Sequence, residues 1–434
     1  MTSPRYLSTR DPARRLVSFE SALLCGLAPD GGLYLPDRVP EIVPEAWQGA
    51  ATLPELGARI LSPWLAAEVG EGALAAILDD ALSFAIPLVP LADDLYLLEL
   101  FHGPTLSFKD VAARTMARLM NHFLARRQEK VTVLVATSGD TGSAVADGFA
   151  GQANLEVVLL YPKGQVSPVQ ERQLIVRRPG VRACAVAGSF DDCQRLVKAA
   201  FADKALAGLA LSSANSINVA RLLPQSLYYF WALRALSRLG KTAPPLVCVP
   251  SGNLGNVTSG VLARLMGLPL RRFIAAHNAN DFFPRYLEGS GATFKPSVQT
   301  LSNAMDVGAP SNFERLRALL GERLPDYLRG ASVSDEATRA RMRQVYETWG
   351  YVADPHTAVG LEAALRYREG TGDTTPTVVL ATAHPAKFPE VVGGALAVLP
   401  PKVDRLERLW DEPTAVEALE PRMGALRAAL LERA

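Results

Sequence analysis

Apolar residues fall in two rhythms along this chain. Across the central part, compact apolar runs alternate with stretches of helical period: "VTVLVA" precedes 141–150, "LEVVLLY" precedes 168–178, "VRACAVAG" precedes 190–202, and "PLVCVP" precedes 256–266, with "RRFIAAHN" as the next run. An unbroken apolar run has no face to offer water, so each predicts a strand covered on both sides. Strands spaced by helices build βαβ units, which gives an α/β fold with a parallel sheet. Residues 1–90 break the rhythm with the turn-rich "APDGGLYLPDRVP" and helical stretches, and are expected to form a separate N-terminal region. The α/β region is expected over 91–395 and a C-terminal helical segment over 396–434. The late apolar run "TVVLATAH" predicts a strand that returns to the main sheet.

One helix stands out. From 111 onward Ala112, Met116, Leu119, Met120 and Phe123 recur at helical spacing, with Arg114, Arg118 and Asn121 off that face. Ser107 and Asp110 have the spacing of a capping box, which predicts a helix starting at Ser107 with Lys109 in its first turn. Lys109 is the only lysine in the first 129 residues of a chain with 45 basic residues. A helix N-terminus carries roughly half a positive charge, so an ammonium there is disfavoured against the neutral amine. Desolvation by Phe108 adds to this, and such an amine suits imine formation with an aldehyde. Alone, the stretch does not separate that chemistry from a surface lysine near a cap.

Two glycine loops follow strands. Ser138-Gly139-Asp140-Thr141-Gly142 and Ser251-Gly252-Asn253-Leu254-Gly255-Asn256 each lead from an apolar run into a helix, where backbone N–H groups can converge on a carboxylate or a phosphate. Neither has the G-K-[ST] ending of a Walker loop or the G-x-G-x-x-G of dinucleotide folds. Asn215, Ser216, Asn218 and Arg221 form a third polar cluster ahead of the apolar "SLYYFWALRAL", and arginine holds phosphate bidentately. "DPHTAVG" and "ATAHPAKF" each set a histidine near a turn, for which a structural role is also open.

Composition narrows the partner. A chain of 434 residues exceeds one compact core, and 49% hydrophobic content supplies several. A formal net charge of +1 gives no bias toward nucleic acid or anionic lipid, which leaves a small molecule. No apolar run reaches the roughly 18 residues of a membrane span, and the first residues lack a secretory apolar core, so a cytoplasmic protein is expected. Cys25, Cys184, Cys193 and Cys248 show no metal or disulfide spacing, and no metal is expected. Nothing in the residues specifies an oligomeric state.

In order, "YLSTR", "GLAPDGGLYLP", "LFHGPTLSFKD", "TSGDTGSA", "NSINVAR", "PSGNLGN", "DPHTAVG" and "TAHPAKF" resemble the blocks of the threonine synthase family over nearly the whole chain. That family uses pyridoxal 5'-phosphate and has the tryptophan-synthase-β-like fold type II. The resemblance implies two parallel-sheet α/β subdomains with the cofactor between them, the smaller over about 131–240, plus the N-terminal region and C-terminal helices. It implies that Lys109 binds the cofactor as an imine, that Gly252, Asn253, Leu254, Gly255 and Asn256 cradle its phosphate, and that Thr382 bonds the ring nitrogen. Ser138, Gly139 and Thr141 would receive the substrate carboxylate, and Asn215, Ser216 and Arg221 the substrate phosphate. Many relatives of the fold have asparagine where Asp140 stands, donating to the cofactor's phenolic oxygen. An ionised aspartate cannot donate, so Asp140 either uses its backbone N–H beside the cofactor or serves another purpose. The implied reaction is that of a lyase: O-phospho-L-homoserine and water give L-threonine and phosphate. A serine or threonine dehydratase, a β-replacement synthase of the same fold, and a non-catalytic phosphate-binding relative are the alternatives.

Overall fold

The computed structural model describes residues 3–432. An antiparallel ribbon of β1 (Tyr6–Ser8) and β2 (Tyr34–Pro36) opens the chain, and a hairpin of β3 (Leu88–Ala92) and β4 (Leu95–Glu99) follows the N-terminal helices. The boundary expected at 90 therefore falls inside a strand. Next come β5 (Val131–Ala136), β6 (Leu155–Pro162), β7 (Val181–Val186) and β8 (Leu211–Ser213). They are followed by β9 (Leu246–Pro250), β10 (Arg272–His277), β11 (Leu328–Ser332), β12 (Thr377–Ala381) and β13 (Glu417–Leu419).

These strands build two sheets. The larger runs β11-β10-β9-β12-β4-β3 and the smaller β13-β7-β6-β5-β8, with every pairing parallel except the β3–β4 hairpin. Every residue of β9 and of β12 is buried, as strands covered on both faces by crossover helices must be. The "TVVLATAH" strand does return, lying between β9 and β4. The segment 396–434 is not all helical, because β13 pairs with β7 and joins the small sheet.

Three segments carry the chain between the sheets: 100–130 from β4 to β5, 214–245 from β8 to β9, and 382–416 from β12 to β13. The helix Lys109–Arg127 fills the first passage. Its Met116, Met120 and Phe123 share a core with Leu61, Trp64 and Leu78 of the N-terminal helices, and full burial of each such side chain contributes about 1.5–3 kcal/mol. The helix is covered beyond the expected face. Arg114 donates from Nε to the Ala81 carbonyl (2.8 Å) and Arg118 pairs with Asp80 (2.5 Å), so its polar stripe meets protein. No helix among the described residues is long and apolar enough to cross a membrane.

Candidate active site

The helix begins at Lys109, with Phe108 as its cap. The expected capping box does not form. Ser107 lies in a bridge to Ala383, its hydroxyl has no partner, and the Phe108 N–H is tied to the Thr382 carbonyl (2.9 Å). The Asp110 carboxylate instead accepts from the Thr105 N–H (2.9 Å) and hydroxyl (2.5 Å). A fully buried carboxylate must find donors, and these come from the preceding loop rather than from the helix start. Lys109 thus projects from a clamped junction, with Nζ 4.9 Å from the Phe108 ring centroid and 3.7 Å from Asp140 Oδ2. Burial lowers its pKa to about 8, with the charges of Lys387 and Arg221 pushing the same way and Asp140 opposing them.

Of the residues in the two glycine loops and the third cluster, Gly139, Gly142 and Asn218 do not line the cavity around Lys109; Lys109, Thr382 and the rest do. In the loop 138–142 the Thr137 hydroxyl accepts from the Gly139 N–H (3.0 Å) and the Gly142 N–H (2.7 Å), so neither amide is available to an anion. Asp140 and Thr141 open the helix Asp140–Phe149, where amides have no intrahelical acceptor. Gly139 has φ +132°, and a Cβ there would sit 2.6 Å from the Gln170 side chain, so glycine is required for close packing.

The loop 252–256 is shaped by backbone. Leu254 is left-handed (φ 59°) ahead of the helix Gly255–Leu265, and a Cβ on Gly252 would lie 2.8 Å from the Met305 Cα. The Asn253 side chain accepts from the Ser311 N–H and donates to the Ser216 hydroxyl (2.6 Å), so it ties the loop to the third cluster. Asn256 accepts through Oδ1 from the Tyr228 and Tyr229 hydroxyls (both 2.6 Å), and its buried Nδ2 has no partner among the described residues.

Arg221 is buried at the base of the third cluster. Nη1 donates to the Ala214 carbonyl and Nε has no partner among the described residues. Burial lowers the guanidinium pKa to about 10, so it stays charged at neutral pH. Asn215 donates to the Ala136 carbonyl (2.8 Å). Asn218 is structural: it bonds the Leu23 and Ser213 carbonyls and caps the turn Val219–Arg221. Arg315, absent from the sequence expectations, is fully buried and donates to the carbonyls of Tyr34, Ser216 and Ile217, fixing the cluster's backbone.

The Asp140 carboxylate is held by protein groups. Its Oδ1 is 2.7 Å from Lys387 Nζ and accepts from Gln170 Nε2 (2.9 Å). Burial pushes the carboxyl upward, yet Lys387 and Lys109 outweigh it and hold the group well below the usual range. Lys387, with no exposed surface, also donates to the Thr105 carbonyl (3.0 Å). His356 lines the cavity with Nδ1–H on Asp354 (2.9 Å), leaving Nε2 to accept from the Ala304 N–H (3.2 Å). Both residues lie in motifs visible in the sequence, "TAHPAKF" and "DPHTAVG"; Asp354 lies in the second motif beside His356, but Ala304, Asp140 and Thr105 are remote in the chain.

Comparison with known proteins decides the family. A model described as pyridoxal-phosphate dependent enzyme matches residues 86–383, flanked by threonine synthase N terminus at 5–82 and threonine synthase C-terminal at 357–430. Threonine synthase of Escherichia coli K12 is 40% identical over 420 residues, covering 96% of each chain. The chain belongs to the threonine synthase family. Threonine synthase of Schizosaccharomyces pombe is 35% identical over 97% of this chain and 96% of its own. The crystal structure of the E. coli threonine synthase superposes with a TM-score of 0.91 at 38% identity, covering 99% of this chain and all 100% of the other. A pyridoxal-phosphate-bound threonine synthase from Brucella melitensis gives 0.90 at 37% identity over 99% of each. As in that family, the fold is type II and the cofactor is pyridoxal 5'-phosphate. The residues present fit it. A buried donor of the loop, Asn256 Nδ2, lacks an acceptor among the described residues, and a backbone cradle without room for a Cβ at Gly252 stands in the same cavity as a lysine of lowered pKa.

Proposed function

We propose that the protein converts O-phospho-L-homoserine and water to L-threonine and phosphate. The observation that carries this is that two polar sets line one cavity with Lys109: the Gly252–Asn256 loop and, apart from it in sequence, Asn215, Ser216 and buried Arg221. One phosphate is the cofactor's, and a second set calls for a second phosphate on the substrate. The cofactor, when bound, supplies an electron sink for charge developed at carbon. Lys109 holds it through its amine and, once released, carries protons at the substrate Cα and Cβ. A lysine whose pKa stands near 8 can both give and accept a proton near neutral pH. Ser138 and the first-turn amides of Asp140 and Thr141 would receive the substrate carboxylate, and the Thr382 hydroxyl would bond the cofactor's ring nitrogen. Arg221, with Asn215 and Ser216, binds the phosphate that leaves from Cγ, after which water adds at Cβ.

A dehydratase or β-replacement enzyme takes substrates without a terminal phosphate and has no use for a buried arginine with an unpaired donor. Measured phosphate release from O-phosphohomoserine, beside ammonia release from serine and threonine, separates these readings. Deamination without phosphate release would overturn the proposal. Borohydride reduction and peptide mapping should place the pyridoxyl label on Lys109, and a label on another lysine would overturn that assignment.

A further inference from the structure

We propose that Lys387 is a positioning residue that draws the Asp140 carboxylate away from Lys109 and so keeps the Lys109 amine free to react near neutral pH. The proposal rests on Lys109 being the working amine, and its test is separate from that assignment.

The geometry is unequal. Asp140 touches Lys387 at 2.7 Å through Oδ1 and Lys109 at 3.7 Å through Oδ2. Gln170 reinforces the first contact by donating to the same Oδ1 (2.9 Å), and its own carbonyl oxygen is held by Asn303 (3.1 Å) and by the Ser167 N–H (3.2 Å). Lys387 is fixed in turn by the Thr105 carbonyl (3.0 Å), and it has no exposed surface through which another anion could reach it. Asp140 is therefore steered to one side of the pair by two groups from two different segments, Lys387 and Gln170.

The other charges do not replace this device. Asp110, on the helix of Lys109, is occupied by Thr105, and Asp354, on the helix carrying His356, is occupied by the His356 ring and by Thr357. Arg221 approaches from the turn Val219–Arg221 and adds positive charge. His384, beside Lys387, caps its own turn through Nδ1. Asp140 is thus the carboxylate that bears on Lys109 directly, and the cation competing for it is Lys387. Without Lys387, a buried carboxylate within ion-pair reach of Lys109 would have one ammonium left to pair with. Pairing of that kind favours the charged amine, which neither forms an imine nor accepts a proton.

The rival account is a buried ion pair that only holds the 382–388 segment against the small sheet. The two differ in what happens to Lys109. In the full-length chain freed of cofactor, the pH dependence of Lys109 acylation by a small reagent, followed by peptide mapping, reports the amine's titration without any need for turnover. Lys387→Met should raise the Lys109 midpoint by one pH unit or more, a tenfold gain in proton affinity, and Asp140→Asn should lower it. In the cofactor-loaded enzyme the acid limb of the kcat/KM profile should move with the same sign. Lys387→Gln removes the charge but keeps a donor for Thr105, and should raise the midpoint too, which covers the case where methionine does not fold. Midpoints unchanged in Lys387→Gln or Lys387→Met, or moved in one direction by both the lysine and aspartate variants, would overturn the proposal. A borohydride label found away from Lys109 would instead overturn the assignment of the working amine.

Discussion

Replacement of Arg221 by alanine tests the phosphorylated substrate most directly. Arg221 is 2% exposed, its Nη1 is committed to the Ala214 carbonyl, and its buried Nε has no acceptor among the described residues. Loss of one preorganised charge-assisted contact to a group that gains charge in the transition state costs about 2–4 kcal/mol. At about 1.4 kcal/mol per decade this is roughly 30- to 1,000-fold, so kcat/KM for O-phosphohomoserine should fall by about two orders of magnitude. Both KM and kcat should suffer, because the phosphate is the recognition handle and also the leaving group. Lysine at 221 keeps the charge but loses the fork, and should recover only part of the loss. Alanine also leaves the Ala214 carbonyl short of a donor, a stability cost of about 1–3 kcal/mol, so a denaturation curve must accompany the kinetics. Cofactor absorbance should stay as in wild type, since Arg221 is assigned to substrate. Wild-type kinetics in a folded Arg221→Ala enzyme, or simple loss of cofactor, would refute the assignment and with it the main residue-level argument for a phosphorylated substrate.

Lys109→Ala should abolish turnover of O-phosphohomoserine, checked by phosphate release over hours at high enzyme concentration. Gly255→Val should weaken cofactor retention at least tenfold, since a bare Cβ there already stands 3.1 Å from Ser216 Cβ and overpacking costs about 1–3 kcal/mol; full cofactor after dialysis would make the loop a plain turn. The Lys109 amine titrates near 8 when folded against 10.5 ordinarily, so between these values the folded chain binds fewer protons than the unfolded one. The resulting stability cost is complete below about 8 and fades as pH rises toward 10.5, so cofactor-free Lys109→Met should exceed wild type in urea midpoint near neutrality and lose that lead at high pH.

The strands with both faces covered were legible because burial leaves an unbroken apolar run: "VTVLVA" is β5 residue for residue, and "PLVCVP" contains β9. The hairpin of β3 and β4 was not read, as its residues straddle the expected boundary at 90. Alternation of strands and helices also says nothing about which strands pair, so the division into two sheets came from family resemblance. At the site, glycine spacing found both loops, but hydrogen bonding inside them was invisible. Thr137 takes two amides that the glycines seemed to free for an anion, and the Ser107–Asp110 spacing lost to Thr105. Lys387 sat in the quoted "ATAHPAKF" without any sign of its role and Arg315 in no quoted motif, because what makes each one important is a partner far away in the chain.

The three passages between the sheets each deposit part of the site: Lys109 on the first, Asn215, Ser216 and Arg221 on the second, Thr382 and Lys387 on the third. The site therefore has no local precursor in a folding chain. Within the small sheet β5, β6 and β7 pair across short βαβ connections, whereas contacts such as Lys387 with Asp140, like the pairing of β12 with β4, demand closure of a very long loop. Cofactor capture becomes a report on the docking of the two sheets, and its binding energy acts on that docking as a whole. Ligand affinity at this junction therefore stabilises the docked state of the two sheets by mass action.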